Sequence, residues 1–167
     1  MSGVARIAIL TASDKAAAGE RSDESGPTIA RLAHEAGHDV MRQDIVPDNR
    51  ALIAEHLRVW ADDDLCDVII TTGGTGLTER DLTPEATRDV AEREVPGIAF
   101  ALVANGLKYT PYAALTRGLA VTRRKCLIVN LPGNPKAVTQ GMEILLPLLS
   151  HVAELLSGPV DHGVGPK

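Results

Sequence analysis

The chain has 167 residues, 44% of them hydrophobic and 23% charged, with a formal net charge of −5. That is enough apolar material for one substantial core, and a single domain over residues 1–156 is the simplest division. The acidic balance argues against a nucleic-acid surface, and a set of only four aromatic residues (Trp60, Phe100, Tyr109 and Tyr112) argues against the stacking platforms of single-strand RNA readers.

Ile7-Ala8-Ile9-Leu10 is too short an apolar run for a signal-peptide core, and no stretch approaches the ~20 apolar residues of a membrane span. Residues 6–11 are expected to form a first buried strand. It runs into Ser13-Asp14-Lys15 and a small, polar connection reaching about Gly26, long enough to be a functional or mobile loop. Ser25-Gly26-Pro27 then starts a helix with Ile29, Leu32, Ala33 and Ala36 at helical spacing, and Gly37 stops it. His34 and His38 are four apart but lie on either side of that stop, so they are not expected to pair on a metal.

Residues 39–46 alternate as a second strand, and Pro47-Asp48-Asn49 opens a helix whose buried face is Leu52, Ile53, Leu57 and Trp60. Local sequence leaves two readings of Asp48 open, a helix cap or a site residue at a strand's carboxyl end. Asp62-Asp63-Asp64 suggests a solvated connection. Cys66 and Cys126 sit beside strand-like runs without a Cys-x-x-Cys pattern, which points to buried free thiols in a reducing compartment, with the cytoplasm as the expected location.

Residues 66–72 form the expected central strand, ending in Gly73-Gly74-Thr75-Gly76. Glycines there allow main-chain amides to converge on an anion, although a packed turn would use the same residues. Neither Gly-x4-Gly-Lys-Ser/Thr nor Gly-x-Gly-x-x-Gly is present. Thr83-Pro84-Glu85 starts another helix with a capping threonine. Pro96-Gly97 interrupts it, and the uniformly apolar stretch 98–107 should be a buried or subunit-facing helix. Two strands flank Thr122-Arg123-Arg124-Lys125, whose basic residues suit a solvated turn. Leu131-Pro132-Gly133-Asn134-Pro135 ends a strand. A last helix carries Val138, Met142, Leu145, Leu146, Leu149, Val152 and Leu156, with a kink expected at Pro147 and a disordered tail over residues 157–167.

Strands alternating with helices through short connections predict an α/β fold, a doubly wound, mostly parallel sheet with helices on both faces in three layers. Such sheets bind ligands beyond the strands' carboxyl ends, where the winding reverses. Ser13-Asp14, Asp48 and residues 73–81 all follow strand ends. No Ser/His/Asp set or metal cluster is legible, so glycine turns with isolated aspartates suit phosphate chemistry in which a divalent ion screens charge.

Thr11-Ala12-Ser13-Asp14, Ser25-Gly26-Pro27, Val46-Pro47-Asp48, the Gly73–Gly76 turn, Arg80-Asp81-Leu82-Thr83-Pro84-Glu85, Pro96-Gly97 and Leu131-Pro132-Gly133-Asn134-Pro135 together resemble the MoaB/Mog family of molybdenum-cofactor biosynthesis, which includes the gephyrin G domain. The resemblance implies a trimeric molybdopterin adenylyltransferase using ATP and Mg²⁺. Asp81 matches the aspartate required for adenylyl transfer and is the candidate metal ligand, and Asp48 matches the one at the pterin end. Gly73, Gly74, Thr75, Gly76, Pro132, Gly133 and Asn134 match loops lining the site, with Ser13, Asp14, Ser25, Gly26 and Pro27 at its entrance. Thr116 stands where plant-type modules carry a pterin-contacting serine, keeping the hydroxyl and adding a methyl.

A phosphate monoester is largely dianionic at neutral pH, so no general base is required, and Lys15, Arg80, Arg117 or Lys136 could offset repulsion between the two substrates. Rival expectations are a noncatalytic MoaB-type binder of pterin or nucleotide, an interaction module, and the later metal-insertion step. Contacts with the enzymes that make molybdopterin and insert molybdate are also expected, but none with nucleic acid or membrane.

Overall fold

A computed structural model of the protein describes residues 3–158. Six strands build one sheet: β1 (Arg6–Ala12), β2 (Asp39–Val46), β3 (Val68–Thr72), β4 (Arg93–Glu94), β5 (Ala120–Arg123) and β6 (Cys126–Leu131), in the order β2-β1-β3-β6-β5-β4. The four strands from β2 to β6 run parallel, and β5 and β4 extend the edge antiparallel. The mostly parallel α/β sheet predicted from the alternating pattern is therefore present.

Side-chain alternation along the strands divides the core into two layers. Ile7, Ile9, Val68, Ile70, Leu127 and Val129 face one side, where they pack on Ile29, Ala30 and Ala33 of α2 (Ser25–Glu35) and on Val138, Met142, Leu145 and Leu149 of α6 (Pro135–Ser157). Ala8, Leu10, Ile69 and Ile128 face the other side, against Ile53, Leu57 and Trp60 of α3 (Arg50–Asp62) and Ala86 and Val90 of α4 (Thr83–Val90). Each fully buried Ile or Leu in these layers contributes roughly 1.5–3 kcal/mol. The sheet is buried on both faces, which is why its central strands are continuous apolar runs.

Several local expectations differ from what the structure contains. Leu52 lies off the buried face of α3 and is 44% exposed. The connection after β1 begins with a one-turn helix, α1 (Asp14–Ala17), capped by the Ser13 hydroxyl. Asp62 is not a solvated turn residue; it ends α3, and both its oxygens take donors from Arg123 at 2.8 Å, so the supposedly solvated basic turn is tied down at its first arginine. The chain between α4 and α5 (Pro96–Gly106) is more than an interruption, because it forms the edge strand β4. Of the two placements expected for α5, full burial is not what forms: only Asn105 is buried, Ile98 and Leu102 pack partly against the core, and Phe100 is 76% exposed. Helix α6 continues through Pro147 to Ser157 and so enters the segment expected to be a tail; residues 159–167 lie outside the described ones. No described helix is long and apolar enough to cross a membrane.

Candidate active site at the switch point

The chain leaves β1 outward to β2 and returns to the other side of β1 as β3, so the winding reverses between β1 and β3. The two strands pair from Ile7↔Val68 to Thr11↔Thr72, which brings residues 12–14 and 73–76 out at the same edge. Gly73 has φ +93°, and a Cβ there would meet the Ala12 carbonyl oxygen at 2.3 Å. Only glycine lets the β3 turn approach β1 this closely. The Gly73 amide donates to the Leu131 carbonyl at 3.1 Å, so it is unavailable to an anion. The nest expected of this turn falls to the amides of Gly74, Thr75 and Gly76, which have no protein acceptor among the described residues.

Helix α3 is capped by Asn49, whose side chain accepts from the Leu52 amide, and this decides the open reading of Asp48 against a cap. Asp48 instead reaches across to β1: its Oδ2 accepts from the Asp14 amide at 3.0 Å, while the Asp48 amide donates to Asp14 Oδ1 at 3.0 Å. Arg80 closes a bidentate pair on Asp14, with Nε and Nη2 donating to Oδ2 at 3.0 and 2.8 Å. That guanidinium holds the Asp14 carboxyl below its ordinary value. Burial pushes the Asp48 carboxyl up, and the negative charges of Asp14 and Asp81 push in the same direction.

Asp81 closes its own loop, with Oδ2 accepting from the amide and hydroxyl of Thr78 at 2.9 and 2.8 Å. Arg117 grips the same loop from outside. Its Nε donates to the Gly76 carbonyl at 2.8 Å, its Nη2 donates to the Asp81 carbonyl at 2.7 Å, and its Nη1 pairs with Glu85. Arg80 and Arg117 are therefore engaged with protein acids and carbonyls. Lys15 and Lys136 form no ion pair among the described residues.

The expected residues fall into adjoining cavities. Ser13, Ser25, Asp48, Gly73, Gly74, Asp81 and Gly133 line a cleft of about 470 Å³. Thr75, Gly76, Thr116, Pro132 and Asn134 line a more apolar cavity of about 530 Å³, walled by α5 and the 3₁₀ turn Pro111–Leu115. Gly26 and Pro27 line a third cavity, beside β2, and Asp14 supports the first cleft from behind through Asp48. Ser25 Oγ donates to the Gly133 carbonyl at 2.8 Å and Thr72 Oγ1 to the Pro132 carbonyl at 2.7 Å, which anchors the loop between β6 and α6 over the glycine turn.

Three contributions were missed at the sequence level. Asp23 accepts from the Thr11 hydroxyl at 2.7 Å and from the Gly26 amide at 3.1 Å, and it lines the first cleft. Its position three residues before Gly26, at a helix start, is a capping signal that could have revealed it. Thr83 is not a cap: α4 is capped at Leu82 without a side-chain bond, and the fully buried Thr83 Oγ1 has no partner among the described residues. It lies 2.4 Å from where a Cβ on Gly74 would stand. The Arg117 grip left no local signal, because its partners lie 32–41 residues away.

No cluster of three or more His, Cys, Asp or Glu is set to hold a metal among the described residues. The donors assigned to both aspartates use Oδ2, which leaves Asp48 Oδ1 and Asp81 Oδ1 as hard oxygen donors at one cleft. A shell of that kind fits Mg²⁺, which takes one or two carboxylates and completes its coordination with water and substrate phosphate.

A family model described as a probable molybdopterin binding domain matches residues 8–151. The chain is 40% identical over 154 residues to the molybdenum cofactor synthesis protein cinnamon of Drosophila melanogaster, covering 92% of this chain but 26% of that protein. It is 39% identical to a molybdopterin adenylyltransferase of Helicobacter pylori, covering 91% of this chain and 88% of the relative. The crystal structure of the molybdopterin biosynthesis enzyme MoaB from Thermus thermophilus superposes with a TM-score of 0.87 at 45% identity, covering 93% of this chain and 98% of that one. A six-stranded switch-point fold, a glycine turn lining one cleft with Asp48 and Asp81, and these likenesses converge: the chain belongs to the molybdopterin-binding domain family of MoaB/Mog proteins.

Proposed function

We propose that the protein is a molybdopterin adenylyltransferase of molybdenum-cofactor synthesis. A terminal phosphate oxygen of molybdopterin attacks the α-phosphorus of ATP, the bond to the β-bridging oxygen breaks, and pyrophosphate leaves with adenylylated molybdopterin as product. The observation that carries this reading is that Asp48, Asp81 and the Gly73–Gly74 turn line one cleft. Its supporting likeness is to a relative named for the activity along 88% of that relative's length.

The attacking phosphate has a second pKa near ~6 and needs no base to become a nucleophile. The protein's task is to bring two anions together. The amides of Gly74, Thr75 and Gly76 offer phosphate donors without a mobile side chain. Asp81, fixed through Oδ2 by Thr78, keeps Oδ1 unengaged, and Asp48 lines the same cleft. Bound Mg²⁺, held by Asp81 with Asp48 nearby, would supply charge neutralisation between the phosphates. The adjoining apolar cavity, with Thr116 on its wall, suits a flat heterocycle.

The exposed apolar side of α5 around Phe100 supports a homotrimer, the buried free thiols support a cytoplasmic location, and the labile adenylylated product favours contact with the enzymes before and after this step. Incubation with molybdopterin, ATP and Mg²⁺ should yield pyrophosphate and adenylylated pterin. Pterin binding with no pyrophosphate would replace the enzyme with a noncatalytic binder.

A further inference from the structure

The loop 76–81 carries Asp81 into the cleft, yet its outer residues are exposed, Leu77 at 67% and Arg80 with a 64% exposed side chain. Inside the loop the only closures among the described residues are Asp81 to Thr78 and the return bond from the Asp81 amide to the Thr78 carbonyl at 3.1 Å. Those bonds shape the tip. They do not fix its two ends relative to the sheet.

The Arg80–Asp14 pair tethers the exposed side of the loop and the Thr83 amide donates to the Gly74 carbonyl at 3.1 Å just outside it, but one side chain reaches both ends. The Arg117 fork spans the loop's mouth, taking the carbonyl of its first residue, Gly76, on Nε and that of its last, Asp81, on Nη2. The Arg117 amide adds a bond to the Thr75 carbonyl at 2.9 Å. Glu85, on the first turn of α4, holds the remaining arm, and the pair is partly buried, with side chains 34% and 27% exposed. An ion pair that only stapled α4 to the segment before β5 would need one nitrogen. Here two of three nitrogens go to carbonyls flanking the reactive carboxylate. Lysine, a point charge on a flexible stem, cannot reproduce that planar spacing.

We propose that Arg117 is the positioning residue for Asp81: by closing both ends of the 76–81 loop it sets where the carboxylate meets phosphate and cation, without touching either. This rests on the adenylyltransferase reading. Thr116, the preceding residue, lines the apolar cavity, so one dipeptide joins the wall of one cavity to the acid of the other.

The test compares wild type with Arg117→Ala and Arg117→Lys at matched protein concentration. Arg117→Ala should lower kcat about 10- to 100-fold, the scale expected of a reacting group displaced by about 1 Å, with the KM for molybdopterin changed by less than about twofold. Peptides covering 76–82 should exchange amide hydrogen about tenfold faster or more, while the core strands keep their protection. Arg117→Lys should restore the thermal midpoint through Glu85 but not kcat, and added guanidinium should recover part of the Arg117→Ala rate. Full recovery of kcat by lysine, or unchanged exchange over 76–82, overturns the proposal. If the wild type makes no adenylylated product, the functional reading fails instead, and the exchange measurement alone decides the clamp.

Discussion

Replacing Gly73 with alanine tests the contact on which the site depends. Its φ of +93° costs an L-residue roughly 1–2 kcal/mol, and the added Cβ would stand 2.3 Å from the Ala12 carbonyl oxygen, a backbone atom fixed in β1. Relief requires moving the turn, which breaks the Gly73 amide bond to Leu131 and costs about 1 kcal/mol more. The sum is roughly 2–3 kcal/mol, or a fall of about 4–12 °C in midpoint for a chain of this length. Gly19→Ala and Gly37→Ala separate the two causes, since their φ values are +73° and +85° but a Cβ at either meets nothing within 4 Å. Those variants should lose only the backbone part, about 1–2 kcal/mol. Calorimetry at matched protein concentration measures all three, because association shifts the midpoint. A Gly73→Ala loss within about 0.5 kcal/mol of Gly19→Ala would show that the approach of β3 to β1 is not the constraint.

Asp81→Asn should fold and bind molybdopterin but lose adenylyl transfer by about 100-fold or more, since the group facing phosphate and cation loses its charge; normal turnover would remove Asp81 from the chemistry. Asn130 is buried and fully used, its Nδ2 donating to the Thr71 and Thr87 hydroxyls and its Oδ1 accepting from the Leu119 amide, so Asn130→Ala should cost about 2–4 kcal/mol in urea unfolding. A loss below about 1 kcal/mol would contradict that network. Asp48 is raised by burial, so its charged form opposes folding. Its stabilising contribution is present below the ordinary value of 3.8 and is lost as pH rises through the raised folded value. Asp48→Asn should therefore raise the midpoint at pH near ~7 and lose that advantage in acid; a lower midpoint at neutral pH would reverse the assignment. Asp14, Asp62, Glu85 and Asp89 are held low by Arg80, Arg123, Arg117 and Arg50, so their contribution is present above the ordinary values of 3.8 and 4.5 and disappears as pH falls through the lowered ones. Acid unfolding that begins only below about pH 4 and shifts upward in Asp62→Asn would fit this; insensitivity to that substitution would not.

Local chemistry determined much of this protein from sequence alone. Runs such as Val68-Ile69-Ile70, with Gly37 and Asn134 marking helix ends, identify the strands and helices, because periodicity and backbone preference act over a few residues. The order of those elements implies the parallel sheet and the edge where its loops gather. Only the tertiary structure could decide that Asn49 rather than Asp48 caps α3, that Thr83 is buried without a partner among the described residues, and that Arg80 and Arg117 are committed to Asp14 and to the Asp81 loop. Each of these depends on groups distant along the chain or on which atom of a side chain is already engaged. The outward face of α5 belongs with them: its apolar sequence demands a covering surface, but whether that surface comes from the same chain is decided by packing.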